Sequence, residues 1–221
     1  MAAELPVTAV VINFKTPDLT CRAVTTFRSF YPSVPTLIID NGSHDGSLAV
    51  LEALQRENAH STEILRNRRN LHHGPAMNQA LQLLHSPAIL FLDSDCEVVR
   101  GGFLEQMYAL GMEQPAHYAV GKRIVMNRRG FDEPEGGTGI PYIRPICMLV
   151  KRELYLTLPP FERHGAPCLR NMIAASARGY LMVNFAVEEY VRHQGRGTAA
   201  RQGYRLGLKG RLNHLLNRLG L

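Results

Sequence analysis

The chain has 221 residues, 45% of them apolar, and a formal net charge of +6. That length is enough for one domain with one substantial core, and no Gly/Ser/Pro-rich linker divides it, so a single domain over 1–221 is expected. The longest apolar runs, such as 88–92 and 146–150, are far too short to cross a bilayer and the N-terminus lacks a basic region, which points to a soluble, cytoplasm-facing protein.

Residues 7–12 form a continuous, β-branched apolar run of the kind that sits inside a parallel sheet. Thr16-Pro17-Asp18 closes it, and a helix is predicted over 19–30. A second strand over 36–39 leads into Asp40-Asn41-Gly42-Ser43-His44-Asp45-Gly46-Ser47, whose glycines and side-chain oxygens suit a tight loop and the cap of a helix over 48–56. A short strand over 62–65 follows, then a helix over 75–84 with Pro75 as its first residue, then a fourth strand over 88–92. Three strand-helix alternations imply right-handed crossovers and a mostly parallel sheet with helices on both faces. The remainder is less regular: a helix over 102–112, strands over 118–125, 143–150 and 180–187, and a Gly/Glu-rich loop at 130–139.

Ligands of such sheets bind beyond the carboxyl ends of the strands. Asn13 and Lys15, residues 40–45, residues 67–78, and Asp93 with Asp95 all follow strand ends, so one rim collects them. Asp93-Ser94-Asp95 ends an apolar strand abruptly in two carboxylates. Two residues apart on an extended chain, they project from the same side and can share one divalent cation and the phosphates it carries. His72 and His73 could touch phosphate, or be two solvated loop residues.

Positive charge gathers at the C-terminus. No acidic residue follows Glu189, whereas Arg192, Arg196, Arg201, Arg205, Lys209, Arg211 and Arg218 do. An anionic substrate, an anionic membrane surface or nucleic acid would each satisfy that charge. No RNP, helix-turn-helix or zinc-finger pattern is present and aromatic residues are sparse, so nucleic acid is not the expected partner. Leucines at 208, 212, 215, 216 and 219 recur at helical spacing, either as core packing or as a basic amphipathic helix lying on the inner face of a membrane. Cys21, Cys96, Cys147 and Cys168 lack C-x-x-C spacing, so reduced thiols are expected.

Taken together, VTAVVINFKTPDL at 7–19, LIIDNGSHDGS at 37–47, NLHHGPAMNQAL at 70–81 and ILFLDSDCEV at 89–98 resemble the glycosyltransferase family 2 group of the GT-A fold in order and spacing. The resemblance covers the first half well and the second loosely. It implies an α/β, Rossmann-like GT-A domain divided into a nucleotide-sugar half (1–100), an acceptor half (101–201) and the basic segment 202–221. It further implies transfer of a sugar from a nucleoside diphosphate, UDP before dTDP or GDP, to a hydroxyl acceptor that the sequence does not identify. On this resemblance Asp40 contacts the nucleobase with Asp45 supporting the loop, Asn13 lines the donor site, and Asn70, Gly74 and Asn78 form the frame beneath the donor. Asp93 lies near the ribose, Asp95 ligates Mn²⁺ or Mg²⁺ on the diphosphate, His193 completes the metal's protein ligands and Arg196 meets the diphosphate.

The resemblance fails at the catalytic base. Inverting members carry a carboxylate where this chain has Pro167-Cys168-Leu169-Arg170. Glu162 and His164 are the nearest substitutes, with Glu188 and Glu189 behind them. A retaining mechanism, or a protein that binds nucleotide sugar with little turnover, are the alternatives. A sugar nucleotidyltransferase fits poorly, because Asn13-Phe14-Lys15-Thr16-Pro17 offers no glycine for a phosphate loop after the first strand.

Overall fold

The computed structural model describes residues 5–134, 139–162 and 166–194. His164, Arg196 and the basic segment 202–221 lie outside the described residues. No helix among the described residues is long and apolar enough to cross a membrane.

Strand β1 (Val7–Asn13) leads to helix α1 (Pro17–Phe30), followed by β2 (Thr36–Asp40), α2 (Ser47–Glu57), β3 (Thr62–Arg66), α3 (His73–Leu83) and β4 (Ala88–Asp93). The second half comprises β5 (Cys96–Val98), α4 (Phe103–Glu113), β6 (His117–Met126), β7 (Asp132–Glu133), β8 (Ile140–Lys151), α5 (Arg152–Tyr155), α6 (Leu169–Ala177), β9 (Leu181–Asn184) and β10 (Val191–His193). The main sheet has the order β3-β2-β1-β4-β8-β6-β7, with β9 paired to β6. Strands β3, β2, β1, β4, β6 and β9 run one way and β8 and β7 the other, giving the mixed, mostly parallel sheet of a GT-A fold.

Alternation along the strands explains why the sheet is covered on both faces. Val7, Ala9 and Val11 of β1 pack with Ala88, Leu90 and Leu92 of β4 on one side, against α1, α2 and α4. Val10, Ile12, Ile89 and Phe91 enter a second cluster with Met77 and Leu81 of α3 and Met172 of α6. The single expected core is therefore two cores sharing one sheet. Pro17 sits in the first turn of α1, where its missing N–H costs nothing, and Ala23, Val24 and Phe27 form the helix's buried stripe. Truncating a fully buried phenylalanine such as Phe27 to alanine costs about 3–5 kcal/mol.

The first four strands agree with the sequence to within a residue at their ends. Helix α3 begins two residues earlier than expected, so Pro75 is its third residue. The expected strand over 180–187 is shorter. It stops at Asn184, where the side chain accepts the backbone N–H of Arg123, and a 3₁₀ turn over Val187–Glu189 folds Val187 and Tyr190 into the first core. Within the expected 130–139 loop, Asp132–Glu133 pairs with the end of β6 as a two-residue strand. Helix α6 was not anticipated, although Leu169, Met172 and Ala175 already carry its buried spacing. Nor were β5 and β10, three residues each and too short to show a period.

Candidate functional site

Because β1 and β2 are parallel and in register at Asn13 and Asp40, their last side chains meet at the carboxyl rim. Asn13, fully buried, donates from Nδ2 to Asp40 Oδ1 and to Ser43 Oγ, both at 3.0 Å, and accepts from Thr20 Oγ1 at 2.9 Å. Ser43 donates to the same Asp40 oxygen. Asp40, only 6% exposed, is thus oriented through Oδ1 by two donors. Both are neutral, so its charge is hydrogen-bonded without being neutralised.

The loops after β2 and β3 are fastened to each other. Asn41 donates to Asn70 Oδ1 at 3.1 Å, and its own oxygen accepts from Asn67 Nδ2 and from the Leu71 backbone, each at 3.1 Å. Gly42, at φ +74°, approaches so closely that a Cβ there would lie 2.4 Å from the Arg69 carbonyl carbon. Asp45 is exposed and accepts both the backbone N–H and the hydroxyl of Ser47 at the start of α2. The Ser47 hydroxyl is the main cause holding its carboxyl below the usual range.

Asn70 belongs to this network, and its Oδ1 also accepts the His72 backbone N–H at 2.7 Å. Gly74 and Asn78 stand elsewhere: Gly74 is buried in the first turn of α3, and Asn78 Oδ1 accepts the Tyr155 hydroxyl at 2.6 Å, tying α3 to α5. The three residues therefore have three different surroundings.

The acidic pair stands at the tip of β4. Strand β10 runs antiparallel to β5 with His193 opposite Cys96, which sets His193 Nε2 3.1 Å from Asp95 Oδ1. Ligand atoms of Asp93, Asp95 and His193 all lie within 4.8 Å of one another. Asp93, expected by resemblance near the ribose, joins this cluster. A quarter of its side-chain surface (24%) meets solvent, yet burial among the packed strand ends, reinforced by the Asp95 carboxylate, pushes it up to about 8. His193 is raised as well, chiefly by its hydrogen bond to Asp95, with burial opposing. Two carboxylates and an imidazole whose ligand atoms lie this close together make a fitting donor set for a divalent ion such as Mn²⁺.

Glu162, expected as a substitute base, has both carboxylate oxygens held by Arg170 Nη1, at 2.7 and 2.9 Å. Glu188 and Glu189 are exposed on the 3₁₀ turn and pair with Lys122 and Arg100. His164 and Arg196 are the two expected site residues outside the described residues.

Two features escaped the sequence. His73 opens α3 with Nε2 3.5 Å from Asp93 Oδ1, so the His72-His73 pair is not simply solvated. Lys15, His44 and His72, the non-glycine residues at positive φ among the described residues, all lie on rim loops, where conformational strain of this kind concentrates at functional sites. No residue-type pattern announces either.

The sequence pattern of glycosyl transferase family 2 matches residues 8–175. Among solved structures, the chain is similar to the mannosyltransferase PcManGT from Pyrobaculum calidifontis in complex with GDP-Man and Mn²⁺, with TM-score 0.65 and 15% identity over 83% of this chain and 55% of that one. GalNAc-T7 with UDP, GalNAc and Mn²⁺ gives TM-score 0.68 and 12% identity over 87% and 44% of the two chains. S. aureus TarS 1-349 in complex with UDP-GlcNAc gives 0.59 and 14% over 88% and 60%. The chain thus spans about half the length of these proteins, and at such identities the likeness concerns the fold. No curated protein sequence matches it.

Proposed function

The chain belongs to glycosyl transferase family 2, and from that premise we propose that it is a metal-dependent glycosyltransferase moving a sugar from a nucleoside diphosphate to a hydroxyl acceptor. The observation that carries this reading is the meeting of Asp93, Asp95 and His193 at the carboxyl rim, beside the Asn13-Asp40-Ser43 network. Asp95 and His193 would hold Mn²⁺ or Mg²⁺, with Asp93 beside them. When bound, the ion would offset the charge that builds on the departing diphosphate.

The chain's own residues divide the remaining work. Asn13 and Ser43 occupy one oxygen of Asp40, leaving Oδ2 to accept an N–H of the nucleobase. UDP is the proposed nucleotide, since two of the neighbours described above were solved with uridine nucleotides. Asn41, Asn67 and Asn70 fix the wall of the donor site, and Asp45 fixes the start of α2. Arg196 is the proposed diphosphate contact. We assign residues 1–100 to donor binding, 101–201 to the acceptor and 202–221 to peripheral membrane contact. Glu162 and His164 are the candidate bases, and Glu162 must leave Arg170 to accept a proton.

That ion pair favours a second reading, in which the protein binds nucleotide sugar with little turnover. Calorimetry of UDP-sugars with and without Mn²⁺ tests the shared premise: affinity that is unchanged by chelation or by Asp95→Ala overturns it. Donor hydrolysis and transfer assays separate the two readings. Turnover that survives Glu162→Ala and His164→Ala together removes both residues as bases.

A further inference from the structure

His73 has no part in the donor-site assignments made so far, yet its imidazole is directed at the acidic cluster. It is the first residue of α3, its side chain is only 25% exposed, and Nε2 lies 3.5 Å from Asp93 Oδ1. Asp93 is the last residue of β4, paired with Ile12 on β1, so the strand holds its backbone. Its carboxylate is approached by Asp95 and His193, whose ligand atoms lie within 4.8 Å, and by His73 at 3.5 Å.

The turn that delivers His73 is unusual. His72 sits at φ 68°, ψ 169°, a conformation open almost exclusively to glycine. Its backbone is pinned there from both sides: the N–H donates to Asn70 Oδ1 at 2.7 Å, and the carbonyl accepts from Ala76 N at 3.2 Å and from Asn41 Nδ2 at 3.4 Å. Asn41 and Asn70 are themselves bonded to each other. The network that shapes the loop after β2 thereby fixes the angle at which α3 starts, and so the direction of the His73 imidazole.

We infer that His73 is a positioning residue whose imidazole, 3.5 Å from Asp93 Oδ1, sets that carboxylate for the metal cluster, while the backbone of His72 supplies the turn that aims it. This rests on the reading of Asp93, Asp95 and His193 as a metal centre. A carboxylate beside a bound ion has several rotamers, and a neighbouring imidazole selects among them. Partners of this sort, when removed, typically lower metal affinity by about 10–100-fold. Asp95 at the same tip has His193 at 3.1 Å, so each carboxylate of the pair has an imidazole of its own.

The test is a Mn²⁺ titration followed by electron paramagnetic resonance, on the full chain, with melting temperature measured alongside. His73→Ala is expected to weaken Mn²⁺ by about 10–100-fold. His73→Gln keeps an N–H donor without a ring nitrogen to ligate, and is expected to recover most of that loss. His72→Gly is expected to raise the melting temperature and keep Mn²⁺ affinity, because glycine adopts the turn without strain. Asp95→Asn serves as the reference that loses Mn²⁺. If Asp95→Asn loses the ion and His73→Ala binds it within threefold of the native chain, the inference is wrong and the metal centre stands. If His73→Gln binds as poorly as His73→Ala, an N–H donor does not replace the imidazole and the positioning role is wrong. A native chain that does not bind Mn²⁺ removes the metal centre and this inference together.

Discussion

The two ends of the carboxyl rim solve opposite electrostatic problems. At the tips of β1 and β2, Asp40 has neutral donors from Asn13 and Ser43, and the loop beyond it is fastened by Asn41, Asn67 and Asn70. At the tip of β4, Asp93 and Asp95 share one small volume with His193, and burial, reinforced by the Asp95 carboxylate, raises the cost of ionising Asp93. The first end is complete as folded and needs only a ligand of matching shape. The second gathers three side chains that could hold a cation, so on the proposed function the metal belongs to this end of the site and not to the other.

The largest effect should come from the metal end. Asp95→Ala is expected to lower turnover by roughly a hundredfold or more, since removing one such charge-stabilising group costs about 3 kcal/mol, while leaving the melting temperature of the metal-free protein nearly unchanged. Steady-state rates beside thermal melts check this, and a matching loss of stability would erase the contrast between the two ends. The complete end should behave in reverse. Asn13→Ala strands Asp40 and Thr20 without their buried partner and is expected to cost about 1–3 kcal/mol of stability, read by urea denaturation. Stability unaltered in that variant would mean the network is not what holds the loop.

A smaller effect should appear with pH. Folding raises Asp93 to about 8, above the ordinary carboxylate value of about 4. Folding therefore takes up a proton between those values, and the metal-free protein loses stability as pH rises through that window. His193, also raised, adds in the same direction: its contribution is present below the ordinary histidine value and is lost as pH rises past its folded one. Mn²⁺ needs the deprotonated groups, so its affinity climbs with pH. Melting curves in EDTA and in MnCl₂ should therefore diverge between pH 6 and about 8.5, and parallel curves would mean that neither group belongs to the metal centre. The smallest effect belongs to the surface. Glu188→Ala, which removes an exposed pair with Lys122, is expected to change stability by no more than about 0.5 kcal/mol and activity not at all.

The positions of Asp40, Asp93 and Asp95 were legible because an apolar run gives a buried strand and its end gives the rim; the extended spacing expected for Asp93 and Asp95 is replaced by a turn at Ser94–Asp95 between β4 and β5, which keeps both carboxylates in one cluster. The same rules misjudged residues 180–187, where a run of apolar residues bends at Asn184 because a side chain from that strand caps the neighbouring one. The resemblance groups Asn70, Gly74 and Asn78 in one frame; in the structure Asn70 joins the loop network and Asn78 braces α5. Spacing along the chain does not say which side of a helix start each residue will face.

By itself, the sequence determined the alternation of strands and helices, the rim on which the carboxylates gather, and the family to which the chain belongs. The resemblance already joined His193 to Asp95, and the tertiary structure alone supplied the β5–β10 ladder that carries it there, His73 from the start of α3, and Arg170 on Glu162. The reason is separation along the chain. Asp95 and His193 meet through strands of three residues each, which no periodicity betrays, and it is the antiparallel pairing of β5 with β10 that brings them within reach.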